Sequence, residues 1–263
     1  MRFPATVLGG LLFLSFLPPA AAEDWKFSSS VNYDTGKYGT SDRTSSLYIP
    51  FTLKRYFGDA SLSVTVPYLR QTSVGAVTLV GGRPSRTGMR MTRTSLAAKE
   101  TTESGLGDIL LKGGYPLASE KRDSFYLGLA GTLKLPTADE NKGLGTGETD
   151  AGGGLEFSKD MPGSWTLLSD AYFTSIGSPP GQHYRDQAAF DIGFSRKAGG
   201  DLVFTALYET ANSLVRGAPA PRDVSFTLEG PAADGNRYSG GVLFGLSDGS
   251  PDLGLSAGVS RRF

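Results

Sequence analysis

The chain has 263 residues, with 26 basic and 26 acidic side chains, one histidine, no cysteine and 36 glycines. The absence of cysteine excludes disulfides, thiolate metal sites and a cysteine nucleophile. A single histidine leaves little room for a histidine-based zinc site. Balanced, interspersed charge is unlike the basic footprint of a nucleic-acid-binding protein. We therefore expect no metal, no cofactor and no nucleic-acid partner.

Residues 1–22 have the pattern of a cleaved export signal. Arg2 supplies a positive charge, residues 7–17 form a short apolar core, and residues 20–22 are the alanines of a small-residue cleavage site. A membrane-anchor helix is the alternative, but such a helix needs about 20 apolar residues. No later segment is a long uncharged apolar run, so the mature chain either is soluble outside the cytoplasm or crosses a membrane as strands.

From residue 23 to residue 263 apolar and polar residues alternate, which is the period of a β-strand. No stretch sustains the period of an amphipathic helix. The pattern predicts about twelve strands, with a range of about 10 to 14. They centre on residues 25–33, 47–53, 62–68, 109–117, 125–135, 155–157, 165–173, 188–194, 202–208, 224–228, 238–246 and 253–263.

The connections between these segments alternate in length. Five are short, at residues 55–59, 118–123, 159–164, 197–201 and 230–236. The others are mostly longer, at residues 70–105 above all, then 136–149, 175–186 and 211–222. Short periplasmic turns and longer extracellular loops are typical of outer-membrane barrels. We therefore predict an all-β, transmembrane, antiparallel up-and-down β-barrel over residues 23–263, with a long extracellular loop at about residues 70–105.

Alternation alone does not say which face meets lipid, because a soluble β-sandwich or a ligand-binding barrel also alternates. Three features indicate that the apolar face of the strands meets lipid on the outside of the barrel. The apolar register is nearly free of charge, and the opposite register carries charges of both signs. Aromatic residues gather near strand ends, as in interfacial girdles: Trp25, Tyr56, Tyr115, Phe125, Phe157, Trp165, Tyr238 and Phe263 at one end, and Tyr33, Tyr68, Phe173, Tyr208 and Phe244 at the other. The last strand also ends on an aromatic residue.

These features predict a monomer in the outer membrane of a Gram-negative bacterium. Its partners there would be membrane lipid, lipopolysaccharide and the barrel assembly machinery. We expect Leu255, Val259 and Phe263 to form the assembly signal of the last strand. Pro50 and Pro67 fall within predicted strands, where proline removes a ladder hydrogen bond, so we expect a bulge or break at each.

Three stretches resemble a known family: residues 104–116 (SGLGDILLKGGYP), 133–159 (LKLPTADENKGLGTGETDAGGGLEFSK) and 245–263 (GLSDGSPDLGLSAGVSRRF). They are similar to the bacterial outer-membrane transporter family named for the MetA pathway of phenol degradation. The resemblance covers residues 104–263 and is weaker over residues 23–103. It implies an outer-membrane barrel that admits aromatic or other hydrophobic compounds, and it brings no catalytic motif.

Candidate catalytic residues are few. His183 lies in a loop rich in proline and glycine, and no serine stands in the sharp strand-to-helix turn of a nucleophile elbow. Gly143, Gly145 and Gly147 superficially resemble a phosphate-binding loop but lack its Gly-Lys-Ser/Thr ending. The nearby carboxylates do not have the spacing of a recognised calcium loop; they are Asp139, Glu140, Glu148 and Asp150. We predict that the protein is not an enzyme.

The long loop at residues 70–105 is rich in arginine. Arg83, Arg86, Arg90 and Arg93 are candidates for contact with lipopolysaccharide phosphates, which suit bidentate guanidinium geometry. An ordinary solvated loop is an equally good interpretation. A third is that part of the loop, including residues 77–80, folds into the lumen as a constriction.

Ten ionisable residues fall on the predicted lumen face: Lys26, Asp108, Lys112, Lys134, Glu156, Asp170, Asp191, Glu209, Arg237 and Arg262. Five are acidic and five basic, so we expect no strong ion selectivity unless they are grouped by sign. Twelve strands lie between the filled barrel of eight and the open channel of sixteen. This predicts a narrow passage for a small solute, aromatic or hydrophobic by the resemblance. The alternative is a non-transport structural or surface-interaction barrel, in which the lumen charges pair into a rigid network.

Overall fold

The computed structural model describes residues 24–73, 77–80, 83–86, 100–119 and 123–263. The predicted export signal therefore lies outside the described residues. Strands make up nearly all the regular structure, with two short 3-10 helices at Glu140–Lys142 and Gly199–Asp201. The strands are Trp25–Gly36 (β1), Thr44–Phe57 (β2), Ala60–Ser73 (β3), Val77–Val80 (β4), Arg83–Arg86 (β5), Thr101–Leu106 (β6), Ile109–Ala118 (β7), Tyr126–Leu135 (β8), Asp150–Met161 (β9), Trp165–Ser175 (β10), Gln187–Lys197 (β11), Val203–Ala211 (β12), Arg222–Pro231 (β13), Arg237–Gly245 (β14) and Leu253–Arg262 (β15).

The strands form a closed antiparallel barrel. Each wall strand pairs with its neighbours in chain order, and β1 closes the ring by pairing with both β2 and β15. β6 and β7 both pair with β3 and act as two halves of one wall strand. The wall therefore has twelve strands, which confirms the predicted fold class. β4 and β5 pair only with each other, within the long connection between β3 and β6.

The barrel has two different ends. Short turns join β2 to β3, β7 to β8, β9 to β10, β11 to β12 and β13 to β14; we call this the short-turn end. The other connections lie at the long-loop end, which the rule for outer-membrane barrels assigns to the cell exterior. β3 continues to Ser73 and β6 begins at Thr101, so the longest connection is shorter than the predicted 70–105.

Proline interrupts the wall at both predicted places. The ladder between β1 and β2 passes from the Ser29–Phe51 pair to the Asn32–Tyr48 pair and skips Pro50. At Pro67, the partner of β3 changes from β7 to β6. A proline cannot donate to a ladder, so each break follows from the missing N–H.

Large apolar side chains point outward around the barrel. Phe51, Leu129 and Leu228 are 47%, 50% and 50% exposed, although each lies in the middle of a strand. Burying such side chains is worth about 1.5–3 kcal/mol each, so an outer face of this kind requires hydrocarbon around it. Among the described residues no helix has the length and apolar character needed to cross a membrane.

Most of the predicted girdle aromatics belong to this outer face. All five of those predicted at the long-loop end are exposed, as are Tyr115, Trp165 and Tyr238 at the short-turn end. Tyr56 is different, because the Lys54 and Arg262 cations, from strand positions that face the lumen, both lie over its ring. The prediction that Tyr56 belongs to the lipid-facing girdle is therefore wrong. It lies beside lumen cations near the end of β2.

Candidate functional site

The barrel encloses a cavity of about 790 Å³, whose lining extends to the long-loop end at Asp150, Ile176 and Gly249. Four of the predicted lumen residues line it, namely Lys112, Lys134, Asp191 and Glu209. Polar side chains from β1, β2, β3, β10 and β13 complete much of the lining. A few apolar and aromatic groups join them, including Tyr48, Leu110, Tyr172 and Ile176.

The other six predicted lumen residues lie around this cavity. Glu156 and Asp170 face each other on β9 and β10, and Asp108 is buried in the break between β6 and β7. The remaining three lie toward the short-turn end: Lys26 and Arg262 are paired in register across β1 and β15, and Arg237 binds Glu229 with a 2.5 Å Nε–Oε1 distance.

The strand register aligns five carboxylates in one row. Glu156 is opposite Asp170, Asp170 is opposite Asp191, Asp191 is opposite Glu209, and Glu209 is opposite Asp223. The row crosses five consecutive strands, β9 to β13. Directly opposed side chains on one face lie about 5 Å apart at Cβ, and like charges in such pairs repel. We call these five residues the acidic row.

A second row carries the opposite charge on the facing part of the wall. Arg262 is opposite Lys26, Lys26 is opposite Lys54, and Ser63 is opposite both Lys54 and Lys112. These four cations, the basic row, lie on β15, β1, β2 and β7. Only β8 and β14 separate the two rows around the ring. The register therefore groups the lumen charges by sign, which composition could not show.

An ion pair joins the two rows. Lys112 Nζ lies 2.6 Å from Glu156 Oε1, and the Tyr172 hydroxyl donates to the same oxygen. The ammonium group also lies 5.2 Å from the centre of the Tyr172 ring. Gly154 makes room for that ring, because a Cβ there would come within 2.5 Å of Tyr172 Cδ1. The glycine run in β9 thus lets an aromatic ring lie flat against the wall.

A buried group of charges lies at the long-loop end. Lys134 Nζ is 2.8 Å from Asp150 Oδ2 and 3.4 Å from Asp108 Oδ2, and it donates to Thr146 Oγ1 at 2.8 Å. The side chain of Lys134 is 4% exposed. Backbone N–H groups satisfy the other carboxylate oxygens: that of Ala138 donates to Asp108, and that of Gly177 donates to Asp150.

The connection between β8 and β9, residues 136–149, folds inward beside this group. We call it the inner loop. Its Leu144 is 1% exposed and packs with Leu69 of β3, Tyr48 of β2 and Ala138. Because Leu69 and Tyr48 belong to strands beyond β7, the inner loop reaches over the mouth of the barrel rather than extending into solvent.

Other loops also pack at this end. Ile176 and Leu214, from the connections after β10 and β12, form a buried cluster with Tyr184. Tyr38, after β1, is 1% exposed. Burial raises the pKa of the Tyr38 hydroxyl, and the nearby carboxylates of Asp34, Asp223 and Asp252 raise it further.

Several lumen residues escaped prediction. Asp34, Asp150, Asp223 and Tyr172 line the cavity, and Lys54 belongs to the basic row. All five lie on the polar register of their strands, and strand parity could have found all but Asp150, which precedes the segment predicted as a strand around residues 155–157. Asp150 was considered only as part of a surface carboxylate group. Its pairing with Lys134 depends on the register of β8 and β9.

The remaining candidates form two groups. Arg83 and Arg86 lie in β5, and Arg90 and Arg93 lie outside the described residues; lipopolysaccharide contact stays a prediction. Leu255 points outward and Phe263 exchanges backbone hydrogen bonds with Trp25, and their role with Val259 as an assembly signal also stays a prediction. Within the part of the chain that the structure describes, no cluster of three or more carboxylate or imidazole groups is placed to hold a metal ion.

A family model described as "Putative MetA-pathway of phenol degradation" matches residues 28–261. This is nearly the whole barrel. The chain belongs to this family. A comparison with curated proteins found no match. With the closed wall and apolar outer face, family membership makes the protein an outer-membrane β-barrel of a Gram-negative bacterium.

Solved structures with the same fold are outer-membrane barrels. An outer membrane channel from Pseudomonas putida F1 aligns with a TM-score of 0.63 at 14% identity, over 95% of this chain and 98% of that one. The NanC porin aligns with a TM-score of 0.53 at 8% identity, over 90% and 100%. The translocator domain of the autotransporter NalP from Neisseria meningitidis gives 0.52 at 12% identity, over 95% and 91%.

Proposed function

We propose that this MetA-pathway family barrel is a passive channel for small solutes across the outer membrane. The observation that carries the proposal is a cavity of about 790 Å³ inside a closed wall whose apolar groups face outward. Sites for small molecules typically measure about 300–1,000 Å³. The lumen is thus large enough for a small solute. The polar groups around it can replace the hydrogen bonds that the solute makes to water.

The solute class in this proposal is aromatic or otherwise hydrophobic, as the family description suggests. The lining supports it, because Tyr48, Tyr172, Leu110 and Ile176 bring aromatic and aliphatic surface to a largely polar cavity. A mixed lining suits a molecule with an apolar ring and a polar substituent. The proposal involves no chemical reaction.

The test is solute flux into proteoliposomes. Purified protein in liposomes should produce swelling with arabinose and with the aromatic amino acid phenylalanine, at rates above protein-free liposomes. Phenylalanine is a zwitterion at neutral pH and crosses lipid slowly, so its flux reports on the protein. Flux at the protein-free rate for every solute would overturn the proposal.

One observation favours a second candidate, a non-transport structural barrel. The Lys112–Glu156 pair links β7 to β9 across β8, and the Lys134–Asp150 pair links the neighbouring strands β8 and β9. Hydrogen-bonded networks of this kind rigidify a wall whether or not anything passes through it. The structural candidate predicts that the folded protein in liposomes has no effect on solute flux. The same outcome would contradict the channel function.

The charge rows lead to a prediction about ions. Five carboxylates and two ammonium groups from the described residues line the cavity, so we expect potassium to pass more readily than chloride. Replacing Asp170 and Asp191 together with asparagine should move the potassium-to-chloride permeability ratio toward 1, because two carboxylates of the acidic row lose their charge. The measurement is the reversal potential across a planar bilayer under a potassium chloride gradient.

A matched control replaces two exposed acids outside the lumen, Asp42 and Asp59, with asparagine. This variant should keep the wild-type reversal potential. A permeability ratio unaffected by the Asp170 and Asp191 changes would contradict the assignment of selectivity to the acidic row.

A further inference from the structure

The inner loop contains a glycine-rich motif that the predicted function does not explain. Gly143, Gly145 and Gly147 occur in the segment 142–150, and neither phosphate nor calcium binding accounts for them. In the structure Gly143 and Gly147 adopt backbone conformations that favour glycine, and Gly145 makes a close packing contact. Gly143 ends the 3-10 helix Glu140–Lys142 at φ 68°, and Gly147 has φ 73°. A Cβ on Gly145 would come within 2.8 Å of both the Asp108 carboxylate and Ala138.

The motif thus brings the loop backbone close to the buried charges. Gly145 lies against the Asp108 carboxylate, and Thr146 accepts a hydrogen bond from Lys134. Leu144 lies between Gly143 and Gly145 and points into the cluster with Leu69 and Tyr48. Thr146 is 5% exposed, which shows that the loop is packed against the protein and not exposed on its outer surface.

Leu144 holds the inner loop beside the cavity lining. It packs in one cluster with Tyr48, which lines the cavity, and its Cδ1 atom lies 3.1 Å from the position of a Cβ on Gly105 of β6. The loop therefore leaves β8, reaches past the β6 half-strand to β3 and β2, and returns to β9. In an outer-membrane barrel a loop held across the mouth in this way narrows the entry to the lumen.

We propose that the inner loop is a fixed constriction that sets the upper size limit for solute passage, held in place by the packing of Leu144 and by the anchors Lys134, Asp108, Asp150 and Thr146. This rests on the proposed channel function. The fixed character follows from the anchors, because undocking the loop would expose an apolar side chain and separate Thr146 from a buried ammonium group. A short polar loop exposed to solvent would have neither restraint.

The primary test compares solutes of graded size. Liposome swelling with arabinose, glucose, sucrose and raffinose gives a size profile for the wild-type protein and for Leu144→Ala. We expect the rate for sucrose relative to arabinose to rise at least threefold in Leu144→Ala, because the inner loop loses the packing that holds it across the mouth. An unchanged profile would overturn the proposal.

The matched control is Leu214→Ala. Leu214 is also a leucine in a long-loop connection, is 2% exposed and packs in a separate cluster with Ile176. Its truncation should leave the size profile at the wild-type value. An equal widening in both variants would show that any loosened loop opens the mouth, which would overturn the specific role of the inner loop.

A cross-link tests the loop position even if Leu144→Ala folds poorly. The chain has no cysteine, so the double variant Leu69→Cys, Leu144→Cys carries only the engineered pair. We expect oxidation to form the disulfide, detected by loss of thiol labelling, and to give a lower sucrose-to-arabinose ratio than the reduced form. Failure to cross-link, or equal ratios in the two forms, would contradict the proposal.

The result separates this inference from the channel function. If wild-type protein passes arabinose and the variants do not alter the size profile, only the role of the inner loop is wrong. If the wild-type protein passes no solute of any size, both the channel function and the role of the inner loop are wrong.

Discussion

Replacing Lys134 with methionine should lower the free energy of unfolding by about 3–5 kcal/mol, the usual cost of removing one partner from a buried ion pair. The ammonium group lies between Asp108 and Asp150 and donates to Thr146. Without it, two carboxylates stay in a poorly hydrated position with no cation between them. The measurement is urea unfolding in detergent micelles, followed through the fluorescence of Trp25 and Trp165.

Two further variants make this test specific. Lys142→Met removes an exposed lysine of the inner loop whose Nζ lies 4.0 Å from Asp139; a surface pair of this kind is worth at most about 1 kcal/mol. Adding Asp108→Asn and Asp150→Asn to Lys134→Met should restore at least half of the lost stability, since asparagine still accepts the backbone hydrogen bonds. A loss below 1 kcal/mol for Lys134→Met would contradict the structural role of the buried group.

Placing arginine on the two faces of β13 should give opposite phenotypes. Leu228 is 50% exposed on the outer face near the middle of the strand, and its neighbour Thr227 lines the cavity. Leu228→Arg should cost about 2–4 kcal/mol, the penalty for arginine facing lipid near the bilayer midplane. Thr227→Arg should cost less than about 1 kcal/mol, because its guanidinium group stays in the aqueous lumen.

The same pair of variants separates stability from conduction. Thr227→Arg should reduce single-channel conductance, because a large cation now occupies the cavity, whereas the fraction of Leu228→Arg that folds should conduct like wild type. Refolding into lipid vesicles gives the stability difference, and planar bilayers give the conductance. Equal stability losses in the two variants would mean that the assignment of faces is wrong.

The faces and number of strands could be read from the sequence because a β-strand has a period of two. Leu228 and Thr227 are adjacent, and their chemistry alone assigns them to opposite sides. The lengths of the connections similarly gave the two ends of the barrel. The interrupted pairing at Pro50 and Pro67 followed from the missing N–H of proline.

The charge rows could not be predicted, because they depend on register. Glu156, Asp170, Asp191, Glu209 and Asp223 are far apart in sequence, and a slip of one residue in any of four strand pairs would break the row. Register is set by turn geometry and bulges, which single-sequence patterns locate only roughly. The count of five acids and five bases was available, but their arrangement was not.

The inner loop was missed for a different reason. Glycine, threonine and acidic residues are typical of solvated turns, and most of residues 136–149 are of these types. Leu144 was the available signal, as a large apolar residue within an otherwise polar connection. Its burial against Leu69 and Tyr48 explains why it stands there.

The closure of β1 on β15 also constrains how copies of this protein can associate. Ten residue pairs join the two strands, so the wall offers no unpaired strand edge at this seam to which a neighbouring molecule could add its own backbone. Any assembly in the plane of the membrane must therefore use side chains of the lipid-facing surface or the exposed loops. Such contacts would compete directly with lipid for the same aliphatic and aromatic groups.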